Sequence, residues 1–366
     1  MNVPQTYSYW ETKEWLQPRD LLIVGGGIVG ASTALFYKKK YPDHNVMILD
    51  KGVMPEGAST RNAGFACIGS ISEHLADMKT AGEEVVYGRI KRRWDGLNLL
   101  KETMGEEAIG YEHTGGHEIF EDEKIFEMCR ERIPEINRKL QEQMGLESVY
   151  SATEFEGYPA IVNRVEGAIN SGRLMKRLHQ KLSVMGVETI WNCSVESVRG
   201  NQVNLKNGME LKASKMVLAT NGFTRNLIDA QVQPARGYVF VTKPIENLKW
   251  RGTFHFNEGY IYFRNVENSL LIGGARNIAK ADEETDHFGV NSAIKEYLIR
   301  FVTDTLQLPA DWEIDQEWSG IMGMTANKEP IVREVENNLW VAAGLSGMGI
   351  AIGMEVAKGV VERIKN

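Results

Sequence analysis

Apolar residues enter this chain in three rhythms. Leu21-Leu22-Ile23-Val24 is an unbroken apolar run, and Val46-Met47-Ile48-Leu49 repeats it after an alanine-rich stretch from Ala31 to Lys39. Two such runs joined by a helical stretch predict a βαβ unit with buried strands. From about Ile71 to Gly145 the apolar spacing becomes three and four, most clearly over Glu83 to Met104 and Glu121 to Met144, which predicts amphipathic helices. Tyr111 to Phe120 lies between them as a strand. Ser171 opens another helix, with Leu174, Leu178 and Leu182 on one face, and strand-like Glu188 to Trp191 follows. Ser194 to Val198 and Gln202 to Leu205 predict a hairpin turning at Gly200-Asn201, and Lys215 to Ala219 a return strand. Residues 230–320 are strand-rich, at Gly237 to Thr242, Gly259 to Arg264 and Leu270 to Gly273, before a helix over Asn291 to Leu306. Leu339 to Gly344 is a last strand, and a helix runs from about Ala351 to Ile364.

A parallel α/β region interrupted by a strand-rich one predicts a fold of mixed α/β and α+β character in two domains, and 366 residues suffice to fill both. The expected division gives 19–90, 165–230 and 330–366 to a Rossmann-like dinucleotide domain. Residues 91–164 and 231–329 form a substrate domain on a mixed or antiparallel sheet. Residues 1–18, with Tyr7, Tyr9, Trp10 and Trp15, are an extension lying across the outside of the first domain.

The first apolar run leads into a turn with G-x-G-x-x-G spacing at Gly25, Gly27 and Gly30. Gly25 permits the bend, Gly27 lets a pyrophosphate approach the backbone, and Gly30 lets helix and strand pack closely. The helix start at Ile28 and Val29 offers free N–H groups and the positive end of its dipole to phosphates. Asp50 ends the second strand, about 20 residues beyond the glycines, where a carboxylate accepts from ribose hydroxyls. These residues alone do not separate NAD from FAD. The following Lys51 to Gly69, small, polar and glycine-punctuated, is either a further source of phosphate and ring contacts or a connecting loop. Gly344-Leu-Ser-Gly-Met-Gly349 again joins strand to helix, a second place for negative charge.

A net charge of −7 and a pI near 5.7 argue against nucleic acid or an anionic membrane as main partner. Cys67, Cys129 and Cys193 form no C-x-x-C, so neither a disulfide nor a metal site is expected. No secretory leader is expected, and the apolar stretch Leu21 to Phe36 is broken by four glycines. The expectation is a cytoplasmic protein. Period-2 alternation puts Tyr260, Tyr262 and Arg264 on one strand face. They are either a site for a carboxylate or amine, or a solvated surface. His117 is either a base or a packed strand residue.

Taken together, Ile23 to Gly30, Gly57-Ala-Ser-Thr-Arg-Asn-Ala-Gly64, Leu218-Ala-Thr-Asn-Gly222, Arg236-Gly237 and Gly344 to Gly349 resemble the FAD-dependent D-amino-acid oxidase, glycine oxidase and sarcosine oxidase family. Ser8-Tyr9-Trp10 and the Ser-Thr-Arg-Asn-x-Gly loop look most like its gamma-glutamylputrescine oxidase branch. The resemblance implies FAD, with pyrophosphate at Gly25, Gly27 and Gly30 and ribose at Asp50. It carries Ser59, Thr60, Arg61, Asn62, Ala63 and Gly64 along the phosphates and ring, and Val195 to the adenine. Ala219 and Thr220 would bind the cofactor, Gly222 would line the ribityl chain, and Gly347, Met348, Gly349 and Ile350 the pyrimidine edge. Covalent members use a Cys in the last glycine turn or a His in the Arg-Asn loop. Met348 and Asn62 stand there, which implies non-covalent FAD. Many amino-acid members carry a carboxylate-clamping Arg in Trp-x-Gly-Leu-Arg-Pro, but here Trp318-Ser-Gly-Ile-Met322 puts a thioether in its place. The substrate is then an amine without that carboxylate, or Arg264 or Arg276 holds it; the amine is favoured. The implied reaction is two-electron oxidation of a C–N bond of a small amine or amino acid by hydride transfer to flavin N5. Oxidase, dehydrogenase with another acceptor, and non-catalytic homologue stay open, as does oligomeric state.

Overall fold

The computed structural model describes residues 6–365. Glu11–Trp15 makes one π-helical turn, and Tyr9, Trp10 and Trp15 are each more than half exposed. Strand β1 (Arg19–Val24) enters the glycine turn, helix α1 (Ile28–Lys40) leaves it, and β2 (Val46–Leu49) follows. The glycine-punctuated loop contains one helical turn, α2 (Ala58–Arg61), then a short strand, β3 (Phe65–Ala66). Next come α3 (Ile71–Ala81), α4 (Glu83–Met104), α5 (Glu106–Ile109), β4 (Gly116–Ile119) and α6 (Glu123–Met144). Strands β5 (Tyr150–Phe155), β6 (Tyr158–Asn163) and β7 (Gly167–Ala168) lead to α7 (Ser171–Val184). Then follow β8 (Glu188–Ile190), β9 (Val195–Arg199), β10 (Gln202–Leu205) and β11 (Glu210–Leu218). The strand-rich stretch is β12 (Gln233–Thr242), β13 (Thr253–Phe256), β14 (Ile261–Val266) and β15 (Ser269–Gly274). The chain closes with α8 (Ser292–Arg300), β16 (Ile314–Met324), β17 (Ile331–Glu336), β18 (Leu339–Ala343) and α9 (Gly349–Arg363).

These strands make two large sheets. In the first, the order is β17-β18-β11-β1-β2-β8, with β10 and β9 added as a hairpin off β11. Strands β18, β11, β1, β2 and β8 run parallel. Their apolar runs are buried on both faces: Leu21 and Ile23 pack toward α1, α4 and α9, while Leu22 and Val24 pack toward the β9–β10 hairpin side. Two glycines bring those helices close. A Cβ on Gly96 of α4 would stand 2.1 Å from the Ala351 carbonyl oxygen of α9, and one on Gly353 of α9 would stand 2.9 Å from Ile28 of α1.

The second sheet has the order β16-β12-β15-β14-β13-β4-β6-β5 and is antiparallel except where β13 meets β4. Phe240, Phe254, Phe263 and Trp250 pack with Leu298 of α8 in its core. His117 belongs to this packing: its ring stacks on Phe254 at 5.3 Å and Nδ1 is buried without a partner.

Several expectations need correction. The helix expected over Asn291 to Leu306 is α8 plus a π-helical turn at Phe301–Thr305. A boundary at 90/91 falls inside α4, which packs along α9. Strands β5, β6, β13, β16 and β17 carried no usable alternation. β16, for one, is a strand because ten of its residues pair with β12 across the sheet.

Candidate active site

Parallel strands end in loops on one edge of their sheet, and a reversal of strand order there leaves a crevice. Here the chain moves from β1 to β2 on one side and later returns to β11 and β18 on the other. A cavity of about 920 Å³ follows that edge. Asp50 after β2, Gly25 after β1, Ala219 and Thr220 after β11, and the Gly347 turn after β18 all line it.

The glycine turn has the geometry its sequence predicts. Gly25 holds φ +107°, and a Cβ there would lie 2.6 Å from the Ala219 carbonyl oxygen. A Cβ on Gly30 would lie 1.9 Å from the Gly25 carbonyl oxygen, so this glycine serves helix–strand packing and is not on the cavity wall. Gly27, Ile28 and Val29 do face the cavity. The Ile28 N–H donates to Ser59 Oγ at 2.9 Å, so a hydroxyl stands where the start of α1 attracts an anion. Asp50 lines the cavity too, while its carboxylate accepts from the N–H groups of Gly26 (2.6 Å) and Gly52 (2.9 Å). The Lys51 ammonium sits 3.2 Å above the Phe223 ring, and burial lowers its pKa against the pull of Asp50. Val195 completes this end.

Arg61, Asn62, Ala63 and Gly64 line the middle. Their loop is tied to β16: Trp318 Nε1 donates to the Arg61 carbonyl (3.0 Å), and Arg61 Nη1 donates to that of Ser319 (3.1 Å). Asn62 Oδ1 accepts from the Gly64 N–H at 2.8 Å and from the Ser171 hydroxyl at 2.6 Å. Gly347, with φ +87°, would have open space around a Cβ, and Met348, Gly349 and Ile350 begin α9 beside it without a side-chain cap. Two expectations fail here. Thr60 does not line the cavity; its hydroxyl donates to the Pro55 carbonyl. Gly222 is off the wall; its missing side chain makes room for the Met322 carbonyl oxygen, 2.5 Å from where a Cβ would stand.

The far end is walled by the second sheet. Tyr262 and Phe65 meet edge to face at 5.7 Å, and burial raises the Tyr262 pKa to about 12. Tyr260 lies just before β14, on the turn that begins at Asn257, and is 44% exposed at the cavity rim. Arg264 departs from the expected trio. It is buried off the cavity wall, its Nη1 donating to the carbonyls of Gly64 (3.1 Å) and Ile169 (3.0 Å). Arg236 is likewise consumed, by Glu283, at 2.8 and 2.9 Å. Arg276 lines the cavity and, among the described residues, makes no hydrogen bond or ion pair. Met322 lines it as well, with its methyl 3.3 Å from where a Cβ on Gly237 would stand.

One group has no counterpart in the sequence reading. His255 on β13, Glu166 and Cys67 bring Nε2, a carboxylate oxygen and Sγ within 4.8 Å of one another, and His255 and Cys67 reach the cavity. Both Glu166 oxygens are already acceptors, one for His255 and one for the Ile68 and Gly69 N–H groups. Burial and Glu166 keep the Cys67 pKa well above its ordinary value. The three lie far apart in sequence: the β3–β7 pairing sets Cys67 beside Glu166, and the β13–β4 and β4–β6 pairings bring His255 to them.

Comparisons with known proteins agree with this geometry. Residues 20–363 match the family described as FAD dependent oxidoreductase. The D-amino acid dehydrogenase of Helicobacter pylori is 22% identical, with 93% of each chain covered. The probable oxidoreductase OrdL of Rhizobium meliloti is also 22% identical, over 91% of this chain and 80% of that one. The glycine oxidase of Geobacillus kaustophilus superposes with a TM-score of 0.73 at 20% identity, covering 95% of this chain and 96% of that one. No described helix is long and apolar enough to cross a membrane. A family match over nearly the whole length, on a fold whose glycine turns line one continuous cavity, leads to one conclusion: the chain belongs to the FAD-dependent oxidoreductase family.

Proposed function

We propose that the protein oxidises the C–N bond of a small amine or amino acid, with FAD held non-covalently along the carboxyl edge of the first sheet. The observation that carries this reading is the continuity of the cavity. One space joins a dinucleotide-type glycine turn to an aromatic-walled end at Phe65, Tyr260 and Tyr262. The residues present suit FAD. The starts of α1 and α9 supply N–H groups, Gly27 and Gly347 leave room against the backbone, and Asp50 reaches the cavity beside Val195. Met348 and Asn62 offer no nucleophile for a covalent flavin link.

Bound FAD supplies a two-electron acceptor, at N5, for the hydride that leaves the substrate carbon next to nitrogen. The chain's own part is to orient that C–H bond and exclude water. Tyr262 and Phe65 give an apolar wall, and the Tyr260 phenol stands at the rim. Arg276 favours a substrate bearing a carboxylate: it is the guanidinium on the cavity with no partner of its own among the described residues, and a carboxylate would pair with it bidentately. This shifts weight from the simple amine toward the amino acid, the class named in the D-amino acid dehydrogenase and glycine oxidase relatives.

Anaerobic absorbance titration tests the reading. One panel holds putrescine and sarcosine ethyl ester, the other glycine, sarcosine, D-alanine and D-proline. Bleaching of the flavin band by an amino acid, with half-saturation raised at least about tenfold in Arg276→Gln, is the expected result. Bleaching by the amines alone would return the preference to a substrate without a carboxylate. A flavin that no member of either panel reduces would overturn the reading.

A further inference from the structure

Of the buried His255–Glu166 pair, His255 reaches the cavity wall and Glu166 stands behind it. We infer that His255 Nδ1 takes the proton that an ammonium substrate must lose before its C–N bond is oxidised, and that Glu166 positions it; the inference rests on the function proposed above.

The geometry fixes which nitrogen is available. His255 Nε2 lies 3.0 Å from Glu166 Oε2, while Glu166 Oε1 accepts from the N–H groups of Ile68 and Gly69 at 3.2 Å each. A carboxylate that only accepts requires the facing ring nitrogen to donate, so the hydrogen sits on Nε2 and Nδ1 keeps a free lone pair. Nδ1 makes no hydrogen bond among the described residues, yet it is not sealed away as a buried unpartnered atom. It lies on the side of Gly259, 3.9 Å from where a Cβ there would stand, and Glu258, Gly259 and Tyr260 all line the cavity. His255 pairs across the sheet with Tyr262, and its ring meets Phe65 at 5.3 Å, so base and apolar wall share one face.

The charges suit the task. Burial works against an imidazolium, but the Glu166 carboxylate and its hydrogen bond, with Glu118 of β4 and Glu73 of α3 behind them, raise the His255 pKa above its ordinary value. The other titratable groups around it are Tyr262 opposite it on β14, Cys67 after β3, His117 on β4, Arg93 of α4 and Glu258 in the turn. A base lifted toward the range of an alkylammonium makes the transfer less uphill. In the step, one N–H bond of the substrate ammonium breaks and an Nδ1–H bond forms. The substrate nitrogen keeps its electron pair, and the new positive charge faces Glu166. The proton later leaves to solvent through the rim.

Two measurements on the FAD-loaded protein test this. Nitrogen-15 histidine spectra need no substrate. At roughly pH 8 one resonance pair, absent in His255→Gln, should show protonated Nε2 and bare Nδ1, and Glu166→Gln should raise the fraction with hydrogen on Nδ1. A hydrogen on Nδ1 throughout roughly pH 6 to 9 would overturn the inference. The second measurement is the rate of flavin bleaching by the panel compound that reduces the wild type. His255→Gln should slow it about 10²- to 10⁴-fold near neutral pH, with the deficit shrinking as pH passes the compound's own ammonium pKa. A deficit equal at all pH values, or none, would show a structural role only. His255→Asn replaces the Gln variant if that one does not fold. If no compound bleaches the wild type, the proposed function fails, while the spectra still report the state of Nδ1.

Discussion

Arg264 shows how far one residue's role depends on what surrounds it. Alternation along Tyr260 to Arg264 places its side chain with the two phenols, yet the guanidinium is spent on the Gly64 and Ile169 carbonyls, pinning the cavity loop to the strand preceding α7. Gly64 accommodates this by having no side chain: at φ +75° a Cβ would stand 2.9 Å from Arg264 Nη1. Arg264→Met keeps much of the volume but leaves the buried Ile169 carbonyl without a donor and the Gly64 carbonyl with only the Ile169 N–H. It should lower unfolding free energy by about 1–3 kcal/mol, read from denaturant midpoints. Unchanged stability combined with lost substrate affinity would return Arg264 to the substrate site. His255 is the opposite case. Thr253-Phe-His-Phe256 is too short to announce a strand against its neighbours, and the partner Glu166 is brought in only by the β13–β4 and β4–β6 pairings. No spacing rule links positions 166 and 255.

At the level of elements, legibility followed the strength of local pattern. α4 runs from Glu83 to Met104 as its three- and four-residue spacing predicts, because glycines at 82 and 105 stop it at both ends. The β1–turn–α1 unit was legible because the demand at Gly30 is local, its missing Cβ making room for the Gly25 carbonyl within the same turn, and because Gly25, which makes room for the Ala219 carbonyl at the end of neighbouring β11, belongs to the same motif. β16 was not, since Trp318-Ser-Gly-Ile-Met-Gly-Met324 acquires its meaning from β12 alongside and from the Arg61 loop it ties down. The same motif was still informative chemically, because a thioether at position 322 leaves the carboxylate question to other residues. Structure answers part of that question by removing Arg264 and Arg236 and leaving Arg276.

For the molecule as a whole, the buried Glu73 and His74 of α3 predict a response to acid. Burial lowers the His74 pKa to about 4. Burial would raise Glu73, but Arg93 beside it wins and holds it at about 2. Both folded pKa values lie below their ordinary ones, so both contributions are present at neutral pH and fade on acidification. That of His74 is lost as pH falls from 6.5 toward 4, and that of Glu73 from 4.5 toward 2. His255, raised, acts oppositely: its contribution is full below 6.5 and is lost as pH rises through its folded value. Thermal melts should therefore fall between pH 6.5 and 4, with His74 accounting for on the order of 3 kcal/mol. His74→Gln should flatten that part of the curve. An equally steep fall in the variant would assign the acid response elsewhere.

We propose that FAD lies against the glycine turn along the carboxyl edge of the first sheet. The measurement that tests it most directly is the flavin content of purified Gly27→Val beside the wild type, from absorbance after both are incubated with excess FAD and desalted. A side chain at Gly27 would crowd Ser59 Oγ, 2.9 Å from its Cβ, and fill the approach to the start of α1. Wild type should carry about one FAD per chain and a folded variant almost none. Equal flavin in both would contradict this placement.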